Sequence, residues 1–470
     1  MRVTPSRRCL RTTGPYPTGH RRAPWFRPRC RPLILPGGKS QLASEGGRAV
    51  RRYKGTTAVL AALTITATLS GCGTGGSEGV TLKLVAADYG STDANTSKKY
   101  WDALARAYEQ KTPGVKIDVN VLSWKDVDRE VAAMVERGEA PDLAQIGAYA
   151  DYARAGKLYP VDNLVSVPTQ ANFLPLLRQA GEVERVQYGL PFGASTRMLF
   201  FNEELLDQAG AEPPADWDGL REAAAKLKAK DVKYPFALPL GSEESQAETM
   251  MWLLGGGGGY RDATGTAYQI DSPANVETMT WLKEKLVGAG LTGPVAPGEL
   301  DRQQAFDAFV RGEVGMLNGH PTLMDTARKA GVKVGTVPLP GIDGKAKATL
   351  GVADWMMAFK QNGHRKEIGA FLDFVYNDKN VLDFSDRYDL LPVTVSASDA
   401  MEADSEHAAL RPFLEELAGS ELYPVGETSW ARVSESVKKN IGRAVAPGGN
   451  PRAVLEDIAR DARAAETSAG

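Results

Sequence analysis

Side chains suited to chemistry are sparse in the larger part of this 470-residue chain. Beyond residue 72 the histidines are His320, His364 and His407. They stand apart, without the close spacing of zinc ligands, so neither a metal site nor histidine catalysis is expected, and no cofactor is implied. Gly-x-Ser-x-Gly matches only at Gly75–Gly79, in a Gly-rich stretch with no strand-like run before it, so no nucleophile elbow is expected. Acid pairs such as Glu203-Glu204 and Glu243-Glu244 arise readily in a chain rich in Asp and Glu. Glycan cleavage needs two carboxylates about 5–9 Å apart across a cleft, a spacing the sequence leaves open. The run Gly255–Gly259 is followed by Tyr260-Arg261, where a phosphate-binding loop requires Lys-Ser or Lys-Thr. It reads instead as a close-packed turn after a helix containing Trp252.

One cysteine has a telling context. Arg51, Arg52 and Lys54 precede the uncharged stretch GTTAVLAALTITATLSG, which ends at Cys72. Basic residues, an apolar core and small residues at its end describe an export signal, and the core is shorter than the roughly 20 residues of a membrane span. The end Leu69-Ser70-Gly71-Cys72 resembles the lipobox of bacterial lipoproteins, which implies lipidation at Cys72 and attachment to the outer face of the cell membrane. Residues 50–72 are thus expected to be signal and lipobox, and 73–79 a flexible tether. The pair Arg51-Arg52 fits twin-arginine export as well as the general route. Residues 1–49 carry eleven Lys or Arg, one acid and many prolines, a composition that does not fold. They are read as a disordered arm, or as a leader that vanishes if translation starts near Val50.

Removal of residues 1–71 takes 14 of the 56 bases but one of the 58 acids, leaving a formal charge of −15. So acidic a chain is a poor partner for nucleic acid. With Cys72 as its sole cysteine, this part of the chain has no internal disulfide. Nearly 400 residues favour two domains. From Val80 the pattern alternates between strand-like and helix-like: VTLKLVAAD, then a helix carrying Trp101, Leu104, Ala105 and Tyr108 on one face, then VKIDVNV at period two. A helix capped at Ser123 and a strand at Leu143–Ile146 complete βαβαβ, which predicts an α/β lobe with a largely parallel sheet. A second, helix-rich half follows, with GVADWMMAF as a further strand.

The stretch YGLPFGASTRMLFFNEELLDQAGAEPPADWDGLREAAAKLK (188–228) is the most specific in the chain. With APDLAQIGAYADYARAGKLYPVD (140–162), FVRGEVGMLNGH (309–320), VKVGTVPLPG (332–341), HRKEIGAFLDFVYN (364–377) and LLPV (390–393), it resembles the maltose-binding-protein-like extracellular solute-binding proteins that serve carbohydrate ABC importers. The resemblance covers roughly residues 80–465. It implies an α/β, two-lobed, type II periplasmic-binding-protein-like fold with three interlobe crossings: residues 80–193 plus 352–399 in lobe 1, and 194–351 plus 400–470 in lobe 2. It further implies a monomeric receptor, not an enzyme, that takes a sugar, oligosaccharide or glycoside in the cleft and delivers it to a transmembrane permease. A polyol or glycerol-phosphate ligand, a secreted glycan-cleaving enzyme and a sensory ectodomain are the alternatives.

By the same resemblance, ligand contacts fall on Asp88 and Tyr89 after the first strand, Gln145 and Tyr149 around the third, and Ser195 and Arg197. Glu248, Asn318, His320, Asp354, Trp355 and Trp430 join them. Trp355 and Tyr149 fit the core equally well, and Trp430 also begins an apolar stripe with Val433, Val437 and Ile441. Trp101, Trp124, Trp217 and Trp281 read as core.

Overall fold

The computed structural model describes residues 79–90, 93–262, 264–265 and 267–469. The leader, the export signal with Cys72 and the tether through residue 78 lie outside the described residues. Among the described residues no helix is long and apolar enough to cross a membrane.

In chain order the principal strands are β1 (Val80–Ala87), β2 (Val115–Leu122), β3 (Leu143–Ile146), β4 (Leu190–Thr196), β5 (Met198–Asn202), β6 (Tyr234–Ala237), β7 (Val314–Gly319), β8 (Val334–Val337), β9 (Leu350–Ala358) and β10 (Glu421–Leu422). One sheet has the order β10-β9-β3-β1-β2, with β4 also on β9. The expected parallel pairing holds for β1 with β2 and β3, whereas β9 runs antiparallel to β3 and β4. The second sheet has the order β8-β5-β7-β6. This is the two-lobed α/β architecture that the sequence predicts.

Helical periodicity does what it should. On helix Ser97–Lys111 the residues Trp101, Leu104, Ala105 and Tyr108 are all buried. The Thr96 side chain caps its first turn, and Gly114 (φ +91) carries the chain out in a conformation that favours glycine. The next helix differs from expectation. It spans Val127–Glu136 after Asp126, and Ser123 donates to the Asp126 carboxylate instead of capping. The three-residue delay leaves Trp124 in a turn rather than on a helix face.

The second sheet is backed by Trp217, Trp252 and Trp281, whose ring centroids lie 4.8–6.2 Å apart. Gly335 sits opposite Phe201 in the β8–β5 ladder, and a Cβ there would fall 2.1 Å from the Phe201 ring. The glycine run after Trp252 is a packed turn: Asn275 both accepts from the Gly259 amide and donates to its carbonyl. Between β4 in one sheet and β5 in the other only Arg197 intervenes. A bulge in β9 between Ala353 and Trp355 shifts the register against β4. Such bulges re-aim side chains, and the residue at this one is Asp354.

Candidate ligand cleft

A cavity of about 510 Å³ lies between two walls. One wall is built from the turn after β2 (Trp124, Asp128), the loop after β3 (Gly147–Tyr152) and the β9 bulge (Val352–Asp354). The other comes from Gln246, the segment Tyr423–Thr428 and the first turns of helix Trp430–Asn440. Its volume is within the usual range for a small-molecule site.

Asp354 is held from behind by a directed chain of hydrogen bonds. The Ala87 amide donates to Gln145 Oε1 (3.1 Å), Gln145 Nε2 donates to the Tyr89 hydroxyl (2.8 Å), and that hydroxyl donates to Asp354 Oδ2 (2.7 Å). Because the Gln145 amide fixes which way the Tyr89 proton points, the chain is pre-set to deliver a donor to the carboxylate. Tyr89 is itself wedged edge-on against Trp124 (5.3 Å) and Phe384 (5.0 Å). Burial pushes the Asp354 carboxyl up to about 7, against the Tyr89 bond, and the charge of Asp128 adds to the rise.

This shift has a consequence for stability. A carboxyl whose folded-state value lies above its unfolded value near 3.8 stabilises the fold fully below about pH 4. That contribution is lost as pH rises through about 7. Asp354→Asn is therefore expected to raise the ligand-free protein's stability at pH 8 by on the order of 1–2 kcal/mol and to flatten its pH dependence between 4 and 8. Urea midpoints measured across that range test this; an unchanged midpoint at pH 8 refutes it.

Five of the predicted residues gather away from this cavity, around Arg197 and Glu248. Arg197, 5% exposed, donates to Ser195 Oγ (2.9 Å) and Glu244 Oε1 (3.1 Å). Glu248 Oε1 accepts from Trp252 Nε1 (2.7 Å) and Asn318 Nδ2 (2.9 Å). Burial pushes the Glu248 carboxyl up to about 8, despite those two donors. His320 packs on Phe306 at 5.0 Å, with Nδ1 2.8 Å from the Thr322 hydroxyl. Burial, then the charges of Arg197 and Arg302, hold its ring well below the ordinary value, so it is neutral at pH 7. Arg197, Glu244, Glu248, Arg302, Asn318 and His320 surround a void of about 10 Å³, room for one water.

Three predicted contacts take other places. Asp88 caps the helix Ser97–Lys111: its carboxylate accepts from the Ser97 amide (2.7 Å), the Thr96 hydroxyl (2.7 Å) and the Gly90 amide (3.0 Å). Burial opposes ionisation there, but these donors outweigh it and hold the carboxyl below its usual range. Trp355 is 0% exposed and packs on Tyr149 at 5.3 Å, so it is core and no platform for a ligand. Tyr149 borders the cavity, but its ring is enclosed and its hydroxyl donates to the Ala180 carbonyl. Trp430 opens the helix Trp430–Asn440. Its ring stacks on Tyr423 (5.0 Å, 24°), contacts Tyr260 (5.4 Å) and borders the cavity.

Trp124 corrects the sequence reading in the other direction, because it lines the cleft rather than the core. Asp128, Tyr152, Gln246, Tyr423 and Lys438 also line it, and none was expected from the sequence. The signal for Trp124 and Asp128 was their place just after β2, since contacts were sought after the other strands. The other four carry no local signature.

Known proteins share this fold. The bacterial extracellular solute-binding protein family matches residues 93–381. A binding protein of Brucella abortus (strain 2308) is 26% identical over 425 residues, 88% of this chain and 98% of the relative. A maltotriose-binding protein of Pyrococcus abyssi is 27% identical over 252 residues, 52% of each chain. Among solved structures, the GacH receptor of Streptomyces glaucescens GLA.O, crystallised unliganded and with acarbose, superposes with a TM-score of 0.70 at 20% identity. That superposition covers 83% of this chain and all of the receptor. A chain matched by this family over more than half its length, with the family's two-sheet α/β fold, is a member of the bacterial extracellular solute-binding proteins.

Proposed function

We propose that the chain is a lipid-anchored receptor that binds a sugar, oligosaccharide or glycoside between its lobes and delivers it to an ABC importer permease. The lobes are residues 80–193 plus 352–399 and 194–351 plus 400–470, with Cys72 as the anchor. It acts as a monomer and performs no chemistry on the ligand. The observation that carries the reading is the pairing of flat aromatic faces with directed polar groups in one cavity. Trp124 stands on one wall and Trp430 with Tyr423 on the other, while Asp354 is oriented by Tyr89 and Gln145. A sugar ring offers an apolar face and a hydroxyl edge, and such a site meets both. The relatives that bind maltotriose and acarbose support it. A phosphorylated solute fits less well, because Arg197 is already engaged by Ser195 and Glu244.

Thermal unfolding against a panel of sugars, oligosaccharides, polyols and sugar phosphates tests the proposal. A ligand at 100 times its dissociation constant stabilises the native state by about 2.7 kcal/mol. With a ligand in hand, Trp124→Ala and Trp430→Ala are each expected to weaken binding roughly tenfold, for about 1–1.5 kcal/mol of lost stacking. Calorimetric titration reads this directly; wild-type affinity in both variants would remove the aromatic platform from the site.

A further inference from the structure

Resting on that reading of the cleft, we propose that the solute carries a protonated nitrogen, as an amino sugar or amino-substituted oligosaccharide does, and that its ammonium seats against Asp354 and Asp128 beside Trp124. The argument begins with the ion pairs around the cavity. Its lining holds five acids, Asp128, Asp151, Asp354, Glu427 and Glu435, against one base, Lys438. The acids on the second-lobe wall are matched: Glu427 to Arg261 at 3.3 Å and Glu435 to Lys439 at 2.9 Å. Outside the cavity, around the small second void, Glu244 is likewise shared by Arg197 (3.1 Å) and Arg302 (2.5 Å).

The facing wall is different. Among the described residues, no Lys, Arg or His lies within ion-pair distance of Asp128, Asp151 or Asp354. Asp128 and Asp151 are exposed toward the cavity; the Asp128 carboxylate accepts from the backbone amides of Gly147 and Ala148, and the charges of Lys438 on the first, and of Arg432 and Arg154 on the second, act from beyond ion-pair distance. Asp354 is half-buried, with Tyr89 as its single hydrogen-bond donor. The protein around the cavity raises all three carboxyls. Burial is the chief cause in each, the charge of Asp128 adds to the rise at Asp354, and a cation seated against these groups favours their ionised form.

The aromatic rings point to the same ligand. Trp124, Tyr152, Tyr423 and Trp430 present π-faces or edges to one cavity that also holds these acids. An ammonium is attracted to an aromatic face as well as to a carboxylate. A neutral sugar would use the rings and donate its hydroxyls to the carboxylates, but would leave their charge unneutralised; a phosphate would be repelled by it.

The test titrates the purified protein with the glucosamine trimer, its N-acetylated counterpart and maltotriose, at pH 7 and low salt, and repeats each titration with Asp354→Asn. The unfolding midpoint of that variant confirms that it is folded. The amine-bearing trimer is expected to bind at least tenfold tighter than either neutral trimer, and Asp354→Asn to abolish that preference. Neutral trimers binding as tightly as the amine would overturn this inference and leave the sugar-receptor reading standing. A preference that survives in Asp354→Asn would overturn the seating at Asp354. No binding by any of the three would overturn the inference, and a flat response to the wider sugar panel would overturn the receptor reading with it.

Discussion

Trp355→Ala is expected to destabilise the protein by about 3–5 kcal/mol, the cost of emptying a fully enclosed indole site, and to leave ligand affinity nearly unchanged. The indole is 0% exposed and sits where β9 is clamped between β3 and β4, opposite Ile146 and Pro191. Tyr149 packs on it, and Gly189 sits so close to both rings that a Cβ there would stand 2.9 Å from Trp355 and 3.0 Å from Tyr149. Neighbours so tightly constrained cannot collapse into the gap. The indole nitrogen has no hydrogen-bond partner among the described residues, so Trp355→Phe should recover much of the loss. Adjacent side chains of a strand point to opposite faces, which is how Asp354 reaches the cleft while Trp355 fills the core. Urea midpoints and calorimetric titration on both variants separate the two roles. A tenfold loss of affinity at unchanged stability in Trp355→Ala would return this residue to the binding site.

The contrast between Trp355 and Trp124 explains how far the sequence could be read. The βαβαβ opening was legible because Trp101, Leu104, Ala105 and Tyr108 recur at helical spacing and VKIDVNV alternates. The lobes and their crossings followed from long, specific stretches such as 188–228. A site in a cleft is harder, because it is assembled from turns that are far apart in sequence. Trp355 lies beside a true cleft residue, and only the bulge at Asp354 decides which of the two faces the cavity. Trp124 depends on a helix starting at Val127 rather than near Ser123, a shift of one turn that moves an indole from core to cleft wall. Tyr423 and Gln246 reach the site through tertiary packing alone. Asp88 shows the opposite failure: a polar residue at a strand end had a reason to be there, but the reason was a helix cap.

Arg197→Met is the second substitution with a large expected effect, a loss of about 2–3 kcal/mol in stability. Deleting one partner of a fully buried ion pair costs about 3–5 kcal/mol, chiefly through the charge left behind. Here the figure is lower because Glu244 keeps Arg302 at 2.5 Å. Arg197 is the single residue between β4 and β5, and its own carbonyl accepts from the hydroxyl of Thr349, next to the start of β9. The backbone of Arg197 thus ties two passages of the chain between the sheets, while its guanidinium neutralises Glu244 and holds Ser195. If unpaired charge is the dominant loss, Arg197→Met combined with Glu244→Gln should be more stable than Arg197→Met alone, since Arg302 still pairs with Glu243 at 2.7 Å. A double variant no more stable than the single one would mean that the arginine acts through its packing and its bond to Ser195. The same series bears on ligand choice. A site that used Arg197 to hold a phosphate would lose phosphorylated ligands alone in Arg197→Met, whereas a brace would weaken every ligand in proportion to the disorder it introduces at the crossing.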